Sequence, residues 1–127
     1  MATAPVFAVT PKIGMGQVSA ANTAYDGTGT IVTILTGGTN GTKISEIVIE
    51  STVTTTAGMV RLFLFDGTNT RLFDEITVAA ATPSASVKAT RVSTLYQNLT
   101  LPSSSWQLRA STHNAQAINV FAFAADL

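Results

Sequence analysis

The stretch Gly58–Val78 (GMVRLFLFDGTNTRLFDEITV) sets the terms on which this chain can fold. Two apolar-rich runs flank Asp66-Gly67-Thr68-Asn69, and a polar, Gly-containing tetrad in that position is a strong hairpin signal. Met59–Phe65 is apolar on both faces apart from Arg61, which predicts a strand covered on both sides. Two registers fit the turn. An even-length loop sets Arg61 opposite Asp74 and Phe63 opposite Leu72. An odd loop at Gly67–Asn69 sets Leu64 opposite Leu72 and Val60 opposite Ile76. The odd version is preferred, because it gathers Val60, Leu62, Leu64, Leu72 and Ile76 on one face, and a buried face fixes register strongly. Its misfit is Asp74, left on the apolar side opposite Leu62.

Further runs of strand character follow the same logic. Gln17–Tyr25 reads as a first strand closed by Asp26-Gly27, and Thr30–Thr36 and Lys43–Thr52 as the next two. Thr82-Pro83 ends the second arm of the hairpin, since proline cannot join an interior ladder. Ser86–Tyr96 alternates with one face meeting solvent, Leu99–Leu101 is a short piece stopped by Pro102, and Trp106–Ser111 sets Trp106, Leu108 and Ala110 on one side. Ile118–Ala124 is apolar on both faces, with Ile118, Val120 and Ala122 against Phe121 and Phe123, so it is either central or covered by a partner. Eight or nine strands with turns every 8–12 residues predict an all-β sandwich, and eight strands in two sheets predict a jelly-roll-like antiparallel arrangement rather than an immunoglobulin-like one. Before it stands a broken but apolar segment, residues 1–16, expected to be an extended arm that docks on a neighbour or on its own domain. The single sandwich domain is expected to span residues 17–127.

Composition narrows the function. The 21 threonines carry polarity that charged residues, at 11%, do not, and threonine suits a pleated, half-buried surface. Seven basic and seven acidic side chains cancel, so there is no basic excess to displace counterions from nucleic acid and none to anchor the chain to a membrane. So few charges predict neutral, adhesive surface, a liability in a free monomer and an asset in an assembly. There is no cysteine. The start of the chain has neither the basic segment nor the long apolar core of a signal peptide, so synthesis and retention in a cytoplasm is the expectation.

No catalytic, cofactor or metal constellation is expected. His113 is the sole histidine and has no cysteine, carboxylate or second histidine near it in sequence. Glu46 and Glu50 share a strand face but are about 13 Å apart at strand rise, too far for paired acid–base work. Gly37–Lys43 lacks the Gly-Lys-Ser/Thr run of a phosphate loop. Trp106, Tyr25 and Tyr96 are the candidates for a sugar-stacking platform, with core and strand-end packing as the plainer reading.

The segments TPKIG, DGTGTIVTILTGGTNGTKI, TTTAGMVRLFLFDGTNTRLFDEI and LRASTHNAQAINVFA resemble small structural proteins of tailed bacteriophages, prophages and gene-transfer particles. The resemblance runs from about Pro11 to Ala124. It implies a virion component, a capsid decoration (cement) protein above all, assembled in the bacterial host cytoplasm and carried on the capsid surface. The partners it implies are the major capsid protein and further copies of the chain as a homotrimer, with Val6, Phe7, Val9, Ile13 and Met15 of the arm as contact residues. The alternatives are a tail, neck or head-fibre component, or a carbohydrate-binding module that recognises host surface glycans.

Overall fold

The computed structural model describes residues 8–127. Its eight strands are β1 (Thr10–Val18), β2 (Val32–Thr36), β3 (Thr42–Ser51), β4 (Gly58–Phe65), β5 (Thr70–Val78), β6 (Arg91–Leu101), β7 (Gln107–Thr112) and β8 (Ile118–Asp126). They form two four-stranded sheets, β1-β8-β3-β6 and β2-β7-β4-β5, antiparallel throughout. The hydrogen-bonded pairs include β4 with β5, β3 with β6, β2 with β7 and β1 with β8. That nesting is one long hairpin wound over itself, the jelly-roll topology. Ile44, Ile47, Ile49, Val60, Leu62, Leu108 and Val120 fill the space between the sheets with no exposure to solvent.

The β4–β5 hairpin joins both registers. Val60 stands opposite Ile76 and Leu62 opposite Asp74, as the odd register requires. Nearer the tip, Phe63 pairs with Leu72 and Phe65 with Thr70, so the expected Leu64–Leu72 pair is replaced by Leu64–Arg71. The difference is a β-bulge at Phe73. The tip is a four-residue turn in which Asp66 Oδ1 accepts from the N–H groups of Thr68 (2.8 Å) and Asn69 (2.7 Å), with Gly67 at φ +100°. These bonds hold the Asp66 carboxyl below its usual range, Asn69 contributing most. The turn demands one pairing and the buried face the other, and one extra residue reconciles them.

Asp74 does face inward, and it has a partner there. Tyr96 Oη of β6, on the opposite sheet, donates to Asp74 Oδ2 at 2.6 Å, and the Phe73 and Tyr96 rings lie 6.0 Å apart. The misfit carboxylate thus ties together the two edge strands on one side of the sandwich.

The other side is closed by glycine. A Cβ on Gly14 would lie 2.4 Å from the Ile34 carbonyl oxygen and 2.7 Å from Leu35 Cβ, so only hydrogen lets β1 approach β2. The sequence pattern places the start of the first strand at Gln17, whereas β1 begins at Thr10. Pro11 is tolerated because β1 is an edge strand. Thr10–Gly16, read from the sequence as part of an arm, is therefore paired with β8 of its own sheet. Nearby, Asp126 accepts from Thr42 Oγ1 at 2.5 Å and meets Lys12 Nζ at 3.3 Å, which lowers its pKa, the Thr42 hydroxyl contributing most. Two further boundaries move. Residues 86–90 precede β6 rather than open it, and Leu99–Leu101 continues β6 instead of forming a separate piece.

Candidate interaction face

Each sheet has an outer surface, and the two are finished differently. The outer surface of β2-β7-β4-β5 is covered over β4 and β7 by the chain itself, where Arg61, Phe63 and Ser111 are buried. Residues 19–31, between β1 and β2, cross it as a strap. Asn22 N–H donates to the Thr112 carbonyl at 2.8 Å, and Ala21 forms a parallel bridge with Thr112. Asn22 Nδ2 donates to the carbonyls of Thr28 and Thr30, which folds the strap on itself.

Beneath the strap lies Arg61, 1% exposed. Its Nε donates to Glu75 Oε1 (3.1 Å), its Nη1 to the Asn22 carbonyl (3.2 Å) and its Nη2 to His113 Nδ1 (3.1 Å), while the Tyr25 ring lies 4.2 Å from its guanidinium carbon. Guanidinium only donates, so His113 Nδ1 accepts here and the proton of the neutral ring sits on Nε2. The sole histidine is thus a structural neighbour of a buried cation. Phe63, on the same face of β4, is also fully buried, so β4 is covered on both sides as its composition predicted. Among the described residues, no group of three or more His, Cys, Asp or Glu side chains is placed to hold a metal ion. Glu46 and Glu50 are engaged separately: Glu46 accepts from Ser93 Oγ and Glu50 stands opposite Arg91.

Among the described residues, no such strap crosses the outer surface of β1-β8-β3-β6. The register places its side chains in rows across the strands. One row is Met15, Phe121, Val48 and Ser93, and the next is Ile13, Phe123, Glu46 and Leu95. On one side of these lies Gln17, Asn119, Glu50 and Arg91, and on the other Pro11, Ala125, Lys43 and Thr100. These two rows are apolar on β1 and β8 and at Val48 and Leu95, are interrupted by Glu46 and Ser93, and are flanked along the strands by mainly polar rows. Ile13 is 62% exposed, Met15 71% and Leu95 78%. Such a concentration of solvated apolar side chains on one sheet is a mark of an interaction surface.

Of the arm residues named from the sequence, Val6 and Phe7 lie outside the described residues. Val9 is exposed while its N–H bonds to the Asp126 carbonyl at 2.9 Å, and Ile13 and Met15 project from β1 into the apolar rows. Phe121, Phe123, Val48 and Leu95 are not among the contact residues expected from the sequence. The doubly apolar Ile118–Ala124 run was the available signal, because an inner strand of a sheet with one open face needs no second apolar side. Trp106 packs against the core as its alternation predicted, and it lines a hollow of about 180 Å³ at the hairpin tip with Asp66, Asn69 and Arg71.

No family model matches this chain, and no curated protein matches it. Among solved structures, a chain of the cyanophage Pam1 capsid asymmetric unit is similar over 100% of this chain and 92% of its own length, at 19% identity and a TM-score of 0.52. A pentameric capsid protein isolated from metagenomic phage sequences aligns over 90% of this chain but only 59% of its own length, at 14% identity and a TM-score of 0.43, too loose a likeness to argue from. The first likeness is one of fold: this chain shares its architecture with a phage capsid chain of nearly the same length.

Proposed function

We propose that this chain is a virion structural protein that works by contact and performs no reaction. In the finer reading it is a capsid decoration (cement) protein on the head surface, assembled in a bacterial cytoplasm. It binds the lattice of the major capsid protein as a homotrimer, with Val6–Met15 contributing to the contact. The observation that carries this reading is the open apolar face of β1-β8-β3-β6, set on a jelly-roll shared with a capsid chain. A protein that lays neutral surface across many identical subunits can bind each one weakly, since repetition supplies the avidity.

The test is reconstitution. Purified heads lacking this chain should take it up to hundreds of copies and gain heat resistance, with the position read by electron microscopy. A few copies at a vertex or tail would reject decoration. Because Thr10–Gly16 belongs to a strand, the arm is tested by removing residues 1–8 only.

A second reading is favoured by the hollow at the hairpin tip, where Trp106 lies with Asp66, Asn69 and Arg71. An aromatic ring beside hydrogen-bonding side chains is suited to a glycan, as in a tail, neck or head-fibre component or a carbohydrate-binding module. Calorimetric binding of glycans that is lost in Arg71→Ala and Asn69→Ala would support it, and absence of binding to a host-surface glycan panel would remove it.

A further inference from the structure

We infer that His113 and Arg61 form a proton-operated latch on the strap. With the ring neutral, the latch holds residues 22–25 against β4. A second proton on the ring releases them. The inference is independent of the virion reading above.

Two of the strap's contacts converge on one side chain. Arg61 Nη1 donates to the Asn22 carbonyl, and the Tyr25 ring lies 4.2 Å from the guanidinium carbon. Arg61 is in turn aimed by two acceptors on the sheet side, Glu75 Oε1 at Nε and His113 Nδ1 at Nη2, each 3.1 Å away. The His113 N–H bonds to the Met59 carbonyl at 2.9 Å, so the residue that carries the ring is fixed on β4. Guanidinium is a permanent cation and only donates. The contact at Nη2 therefore exists only while Nδ1 keeps a lone pair.

Imidazole is the side chain whose charge changes within the range of about pH 5–8. Nε2 already carries a proton here, so a second one goes to Nδ1. Two donors then face each other, and two positive charges stand side by side. The other charged and titratable groups of the cluster are Arg61 from β4, Glu75 from β5 and Tyr25 from the strap. Glu75 supplies the one negative charge and already meets Arg61, so the protonated cluster holds an unmatched positive charge beside a guanidinium that is 1% exposed. Such a charge is costly to keep out of water. His113 is half-buried, so its ring can turn toward solvent, and Arg61 then loses an acceptor that aims it at Asn22.

A second observation on the same face favours release. Ser111, opposite Arg61 on β7, is 1% exposed, and its hydroxyl has no hydrogen-bond partner among the described residues. An unpaired buried hydroxyl costs stability, so opening the strap to water offsets part of the loss of the Arg61 contacts. The strap moves as one piece, since Asn22 Nδ2 donates to the carbonyls of Thr28 and Thr30.

The test is amide hydrogen exchange of the full chain at about pH 5 and about pH 8, with rates corrected for intrinsic exchange. The Asn22 N–H, held by the Thr112 carbonyl at 2.8 Å, reports the strap, and Leu62 reports the core. Protection of Asn22 should fall about tenfold in acid, as for the loss of one hydrogen bond, while that of Leu62 stays. In His113→Gln, whose side chain accepts but does not titrate, Asn22 protection should be the same at both pH values. Nitrogen NMR of the wild-type ring needs no variant. At the higher pH the ring should carry its proton on Nε2, and its protonation should run parallel to the loss of Asn22 protection. Equal Asn22 protection at both pH values in the wild type overturns the latch. So does the same acid response in His113→Gln, which would assign it to another group such as Glu75. A parallel fall at Leu62, meaning that the whole fold opens, or a ring protonated on Nδ1 at the higher pH would overturn it too.

Discussion

Tyr96 of one sheet donates its phenol hydrogen to Asp74 of the other at 2.6 Å, across the side of the sandwich where β5 and β6 are the edge strands. Each residue makes the other tolerable: the carboxylate is turned inward by the bulge at Phe73, and the phenol has a polar tip on a half-buried ring. Tyr96→Phe should cost about 1–3 kcal/mol, because it leaves a buried-side acceptor unpaired. A double-mutant cycle with Asp74→Asn in urea unfolding would isolate the pair, and additive losses would deny the coupling.

The same pair predicts behaviour in alkali. Burial, then the hydrogen bond to Asp74, raises the Tyr96 pKa above its usual value. The folded state therefore holds this proton to higher pH than the unfolded chain does. The contribution is complete below about pH 10, the ordinary tyrosine value, and is lost as pH rises towards the folded pKa. Stability should fall more steeply above pH 10 in the wild type than in Tyr96→Phe, as followed by denaturant midpoints.

Acid acts at the opposite side of the sandwich. The Asp126 pKa is held down by the Thr42 hydroxyl and then by Lys12, so the unfolded chain takes up the proton first as pH falls. Its contribution is complete above the unfolded value near 3.8 and is lost as pH drops through the depressed folded value. Asp126→Asn should flatten the acid limb of the stability profile. An unchanged limb would assign it to other groups, such as Asp66 in the hairpin turn.

Glycine at position 14 is a packing requirement. Gly14→Ala should cost about 1–3 kcal/mol, since the added carbon meets main chain that cannot yield without parting β1 from β2. Gly16→Ala should cost less, because its nearest obstacle is the mobile end of Ile34, Cδ1, at 2.9 Å. Thermal unfolding of the two variants gives the order, and equal losses would contradict it.

Arg61 pins the strap. Its side chain is 2% exposed while that of Glu75 is 34% exposed, so Arg61→Ala should cost roughly 2–3 kcal/mol, less than the roughly 3–5 kcal/mol expected where both partners are buried. The strap should also open, so chymotrypsin should cut after Tyr25 faster than in the wild type. Arg61→Lys should behave similarly, since one ammonium cannot replace three directed contacts.

The hairpin, the strand count and the covering of both sides of β4 could be read from residue alternation, because each depends on neighbours in sequence. The bulge at Phe73 could not, since it arises from a conflict between a turn and a buried face that only pairing exposes. The strap was misread as a strand continuing to Tyr25, because its order comes from Asn22 hydrogen bonds and from Arg61, 39 residues away. Of the interaction face, Ile13 and Met15 were legible as apolar residues in a segment too broken for a sheet centre. Leu95 was not, because it is one position in an ordinary alternation, and only the alignment of β6 with β3 and β8 puts it in the same row as Phe123 and Ile13.

The nesting of the strand pairs also bears on how the molecule comes together. Val18 meets Ile118 across about a hundred residues of chain, a contact of the long-range kind that slows folding. Once the inner pairs exist, the span left to close between β1 and β8 shrinks to the two connections flanking β2 and β7, and the entropy lost at each step shrinks with it. The cheapest route is a zip drawn from the Asp66–Asn69 tip outward, with the strand that bears Ile13 and Met15 seated last.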